Sequence, residues 1–92
     1  MKITVRLAGP LRALAGNIST CQLDGCRTVG EALRALIGGH EALGPRLLSP
    51  DGALHHFVTA YVNAQDVRLR QLLDTPLADG DELTLVPAVS GG

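Results

Sequence analysis

Gly91 and Gly92 close the chain, and the chemistry they offer is that of a terminal carboxylate on a backbone with no side chains. A carboxylate is a poor electrophile, because its charge repels nucleophiles and it has no leaving group. Adenylation changes that: AMP becomes the leaving group, a sulfur nucleophile displaces it, and the product is a thiocarboxylate whose anionic sulfur is itself a good nucleophile. Two glycines in front of such a group present no Cβ to a narrow channel. With Gly 11 of 92, a terminal pair alone is weak evidence, and a frayed chain end would look the same. The pair gains meaning from the run before it. Asp79-Gly80-Asp81-Glu82-Leu83-Thr84-Leu85-Val86-Pro87 reads as a tight turn, a strand and a stop. Pro87 lacks an amide hydrogen and marks where strand pairing ends. Ala88, Val89, Ser90, Gly91 and Gly92 then form a flexible arm reaching at most ~17 Å when extended.

Other reactive groups are sparse. His55 and His56 are adjacent, so in a regular strand they point to opposite faces and cannot hold one metal together, while His40 sits in a glycine-rich stop. Cys21 and Cys26 form neither a CxxC nor a second pair, which excludes a zinc or thioredoxin-like motif. Cys21 reads as a small buried hydrophobe and Cys26 as a turn residue. Asp79-Gly80-Asp81 lacks the spacing and the distal glutamate of a calcium loop. No phosphate loop and no Ser/His/Asp constellation is present. The expectation is a carrier with no intrinsic catalytic residue, no metal and no bound cofactor.

The elements that must position the tail follow from periodicity. Ile3, Val5 and Leu7 alternate with Lys2, Thr4 and Arg6, giving a half-buried strand ended by Gly9-Pro10. Leu11 to Ala15 is a loop or a helical turn, and Ile18 to Leu23 a second strand. Thr28 and Glu31 have the spacing of a capping box, in which each side chain satisfies the other's backbone donor. Val29, Leu33, Leu36 and Ile37 make the apolar stripe of the helix that follows, with Gly38-Gly39 as its stop. Glu41 to Leu48 suggests a short helical segment interrupted at Gly44-Pro45, and Ser49-Pro50-Asp51-Gly52 a turn. Phe57 to Asn63 is a strand, Val67 to Leu69 a short edge strand, and the last strand follows Asp79-Gly80. First and last strands are equally apolar, which places them side by side at the sheet centre. The class is α+β: a β-grasp domain over residues 1–87 with a mixed four- to five-stranded sheet on one main helix, then a tail over 88–92.

Strand alternation puts Phe57, Thr59, Tyr61 and Val86 on the face away from the helix, where an apolar surface beside the tail would dock a partner. The alternative is that segments 8–16 or 41–52 cover this face. Net charge is −1, which leaves no basic face for nucleic acid. No apolar run reaches the ~20 residues of a membrane span, and Met1-Lys2-Ile3 begins a strand rather than a signal peptide, so a cytoplasmic location is expected.

Three stretches carry a family resemblance. Leu11-Arg12-Ala13-Leu14-Ala15-Gly16 resembles the loop after the first strand in molybdopterin synthase small subunits, and Leu77 to Glu82 with Pro87 to Gly92 resembles the end of that family. Leu54-His55-His56-Phe57-Val58, with Tyr61-Val62-Asn63 and Asp66-Val67-Arg68, is most similar to the cysteine-biosynthesis carriers. The whole chain thus resembles the ubiquitin-like sulfur carriers, which also include the thiamine-biosynthesis carrier. That resemblance implies a thiocarboxylate on Gly92, made by a ubiquitin-activating-like adenylyltransferase and sulfurtransferase that consumes ATP. In the cysteine branch it implies a pyridoxal-phosphate-dependent synthase as acceptor and a zinc metalloprotease for release; in the molybdopterin branch, the large synthase subunit. Ala88 stands where the molybdopterin group commonly has a second proline, and Ala88 and Ser90 stand where ubiquitin tails carry arginines. A protein modifier joined to lysines through Gly92, and an interaction domain with an incidental Gly-Gly end, are the alternatives.

Overall fold

Alternation along the outer strands and one amphipathic stripe produce a sheet with a helix laid across one face. The computed structural model describes residues 1–87; every expectation for Ala88 to Gly92 lies outside the described residues. Strands β1 (Lys2–Leu7), β2 (Thr20–Asp24), β3 (Val58–Val62), β4 (Gln65–Asp66) and β5 (Glu82–Pro87) form one five-stranded sheet in the order β2-β1-β5-β3-β4. The first and last strands are central neighbours and run parallel, with Val5 opposite Leu83 and Leu7 opposite Leu85. All other pairings are antiparallel. This is the expected β-grasp arrangement.

Helix α2 (Val29–Gly39) packs its apolar stripe on the sheet. Val29 and Leu33 are fully buried beside Ile3, Val5, Leu83 and Leu85. Short helices α1 (Pro10–Leu14) and α3 (Gly44–Leu47) close the same face, contributing Leu11 and Leu47 to one continuous core. Segments 8–16 and 41–52 therefore complete the helix side of the sheet, and of the two arrangements left open by the sequence, the outer face is the uncovered one.

Three local readings change. Thr28 caps α2 as expected, its Oγ1 accepting from the Glu31 amide at 3.2 Å, but Glu31 returns the bond to the amide of Arg27 at 2.9 Å, one residue earlier. The Thr28–Pro76 bridge and the Leu77 amide on the Arg27 carbonyl hold this turn against the segment before β5. Gly38 and Gly39 are the last two residues of the helix, as expected, but the cap is His40, whose amide donates to the carbonyls of Leu36 and Ile37. Neither glycine has a positive φ, so neither acts as a left-handed cap. Val67 to Leu69 is a 3₁₀ turn rather than an edge strand, because Asp66 Oδ1 accepts from the Arg68 amide at 2.9 Å and curls the chain. The edge strand is Gln65–Asp66.

The cysteines exchange roles. Cys26 is the buried one, beneath the start of α2, and Cys21 is only half-buried because β2 is the sheet's edge.

Candidate functional site

The tail leaves from β5, and the described residues show how its base is held. On one side β5 pairs with β3 up to Val58 opposite Pro87; on the other, Leu85 accepts the Ala8 amide at 3.1 Å. Leu83 and Leu85 are fully buried below. The strand that carries the tail is thus the best-anchored strand of the sheet, pinned on both edges and one face.

Where β5 ends, the chain has been shaped around Pro87. Gly9 has φ 57° and ψ −136°, a conformation that side chains strongly disfavour, and its α-carbon faces the Pro87 ring, which a Cβ would meet at 3.6 Å. Pro10 follows at the first position of α1, where a missing amide costs nothing. This turn swings α1 alongside the end of β5.

A groove of about 430 Å³ opens there. Pro10, Leu11 and Leu14 of α1 make one wall; Pro45 and Arg46 of α3, with His55 and Phe57 ahead of β3, make the other; Pro87 joins them. Phe57 is 54% exposed. Its ring packs against both histidines, with centroids 5.0 Å from His55 and 4.1 Å from His56. The two histidine rings are themselves stacked at 4.8 Å, so they share a side instead of facing opposite ways, because this stretch is a turn and not yet strand. His55 Nδ1 accepts the Phe57 amide at 3.0 Å, which assigns the ring proton of neutral His55 to Nε2. No group of three or more metal-ligating side chains occurs among the described residues.

The candidate docking residues fall into two places. Thr59 and Val86 are cross-strand partners, as are Tyr61 and Thr84, and all four are half-buried on the open face. Arg6 and Glu82 border them with an ion pair at 2.8 Å. This face is mixed rather than apolar. Phe57 lies apart from it, in the groove. Pro87 was named for its place before the tail, but Pro10, Leu11, Leu14, Pro45, Arg46 and His55 escaped sequence reasoning as groove residues, since they come from three separate stretches of chain and none has a periodicity that announces it.

Neither thiol competes with the tail as a nucleophile. Burial pushes the Cys21 thiol up, and burial, then the charges of Glu31 and Asp24, push up that of Cys26, so both stay protonated at neutral pH. No helix among the described residues is long and apolar enough to cross a membrane.

Comparison with known proteins shows the family. Residues 5–92 match the model of the ThiS family. The chain is 38% identical to the sulfur carrier protein CysO of Mycobacterium tuberculosis, each chain covered completely. It is 39% identical to small archaeal modifier protein 1 of Haloferax volcanii, over 95% of this chain and 97% of the other. The crystal structure of the Amycolatopsis orientalis BexX/CysO complex superposes with a TM-score of 0.86 at 34% identity, covering 98% of this chain and 99% of that one.

Proposed function

The chain belongs to the ThiS family of small ubiquitin-like sulfur carriers, and from that premise we propose that Gly92 is its sulfur-bearing residue and cysteine biosynthesis its pathway. The observation that carries the reading is that the family match runs through Gly92 while β5, pinned on both edges, leads directly into the tail. The carboxylate oxygen of Gly92 attacks the α-phosphorus of ATP on an activating enzyme and pyrophosphate leaves. A sulfide nucleophile then attacks the acyl carbon, AMP leaves, and the thiocarboxylate remains. Its sulfur next displaces the activating group from the β-carbon of a serine derivative held by a pyridoxal-phosphate-dependent synthase. The thioester so formed passes its acyl group to the amino nitrogen, and a zinc metalloprotease hydrolyses that amide to free cysteine and restore the Gly92 carboxylate. Pro87, Ala88, Val89, Ser90 and Gly91 act as the slim arm that delivers the reacting atom. Thr59, Tyr61 and Val86 on the open face, and Phe57 in the groove, dock the partners.

A second reading has its own support. The relative from Haloferax volcanii is named a modifier protein, and modification shares every step up to the acyl-adenylate, which a lysine amine then attacks in place of sulfide. One experiment addresses both. Intact mass of the protein from its host should show one oxygen replaced by sulfur, lost when Gly91 and Gly92 are deleted. Lysine-linked conjugates on a denaturing gel, with no sulfur-bearing monomer, would favour the modifier. An unchanged mass after incubation with the activating enzyme, ATP and sulfide, together with no conjugates on the gel, would sink both.

A further inference from the structure

Of the two sheet edges among the described residues, one is blunted and the other is not. Strand β4 has only two residues and runs into the 3₁₀ turn that Asp66 caps, which stops further pairing there. Strand β2 has five, in unbroken register with β1 and with no proline or lysine. Its hydrogen-bonding parity is fixed at both ends: the Leu7 amide donates to the Ser19 carbonyl, and the Gly25 amide to the Met1 carbonyl. Residues 19, 21, 23 and 25 therefore bond to β1, and the amides and carbonyls of Thr20, Gln22 and Asp24 point outward. No other backbone group among the described residues bonds them. Cys21 and Leu23 pack on the core yet stay half-buried, because no strand flanks them beyond β2.

We propose that β2 pairs antiparallel with β2 of a second copy, centred on Gln22, so that two sheets become one. In that register Thr20 of each copy lies opposite Asp24 of the other, a hydroxyl donor against a carboxylate. Gln22 faces its own equivalent, and each amide offers both donor and acceptor. Asp24 Oδ1 lies 3.4 Å from the Met1 nitrogen, which leaves Oδ2 for the hydroxyl. Arg6 is the cross-strand neighbour of Thr20, so the incoming carboxylate arrives beside positive charge. On the core side, Cys21 of one copy covers Leu23 of the other. Centring on Asp24 instead would oppose like charges, and centring on Thr20 would leave Gln22 and Asp24 beyond the partner strand. The edge is thus complementary to itself in one register, which selects a second copy over an unrelated strand. So short a pairing makes a reversible dimer. Strand β5, the groove and the outer face stay free in it, so the pairing is independent of the carrier reading.

Sedimentation and nuclear magnetic resonance of the full chain, from micromolar to millimolar concentration, test it. A dimer should appear as concentration rises, and the amide signals of Thr20, Gln22 and Asp24 should move while those of β4 stay still. Gln22→Cys should form a disulfide-linked dimer under mild oxidation, since opposed residues of a hydrogen-bonded pair have α-carbons about 5.5 Å apart, within disulfide range. Thr20→Cys, displaced from the axis, should link far less. Thr20→Asp should weaken the dimer about tenfold by opposing two carboxylates twice, and adding Asp24→Thr should restore it. Gln22→Pro removes one outward amide without touching the β1 pairing and should give a folded monomer. A chain still monomeric at millimolar concentration, or Gln22→Cys that links no better than Thr20→Cys, would overturn the pairing. Edge signals that move only when an unrelated extended peptide is added would overturn it too, by assigning β2 to another protein.

Discussion

The two faces of the central strands are built from the same residues' neighbours and have opposite properties. On the inner face Val5, Ala60, Leu83 and Leu85 are completely buried, and Ile3, Val58 and Val62 nearly so. One position along on the outer face, Thr4, Thr59, Tyr61, Thr84 and Val86 are half-buried and Arg6 is exposed. Alternation makes this possible: a strand can devote every second residue to stability and leave the rest for recognition. Strand β5 belongs to both programmes and also leads into the tail. If the outer face docks partners as proposed, the difference predicts that binding and folding can be altered separately, despite sharing a strand.

The largest effect should come from the inner face. Leu85→Ala removes a fully buried side chain from the centre of the sheet and should cost about 2–5 kcal/mol, read from the urea midpoint, because the surrounding strands cannot collapse into the gap. A loss under about 1 kcal/mol would mean the inner face is less committed to stability than its burial implies. Next comes the outer face. Tyr61→Ala should weaken productive binding to the activating enzyme about tenfold, the equivalent of ~1.4 kcal/mol, while costing less stability than Leu85→Ala. Equal loading rates for Tyr61→Ala and wild type would remove this face from the docking surface. The smallest effect concerns Cys26, at the edge of the comparison. Its folded thiol titrates above the ordinary value of 9.0, so folding favours the protonated form: the contribution is intact below that pH and drains away as pH rises through and beyond it. Stability measured from pH 8 upward should fall less in Cys26→Ala than in wild type, and parallel curves would show that burial of this thiol does not matter.

Much of the fold was legible because its signals are local. The alternation of Ile3, Val5 and Leu7, the stripe from Val29 to Ile37, and the turn at Asp79-Gly80 each fix an element within a few residues. The misreadings arise where a neighbour decides. Cys21 and Leu23 have a strand pattern, but an edge strand gives them cover on one side only. Gly38 and Gly39 end the helix where the sequence puts its stop, but the capping amide is that of His40 and neither glycine turns left-handed. Val67 to Leu69 has strand composition, and one side chain, Asp66, overrides it. The groove was illegible for a stronger reason. Only folding brings Leu14, Arg46, Phe57 and Pro87 to one place; Phe57 stood out beforehand as a docking candidate and Pro87 as the strand's stop, with nothing to show that they meet.

The parallel pairing of β1 with β5 also sets the order of events at the ribosome. The first strand cannot acquire its central partner until nearly all of the described chain has been made, and contacts so distant in sequence are slow to form. Strand β1, helix α2 and strand β3 emerge earlier with a vacant slot between them. A product that stops short of Glu82 therefore lacks both the middle of its sheet and the arm itself. Under this architecture the last strand to be made is the one that joins the two halves of the sheet, so folding of the described residues waits on β5.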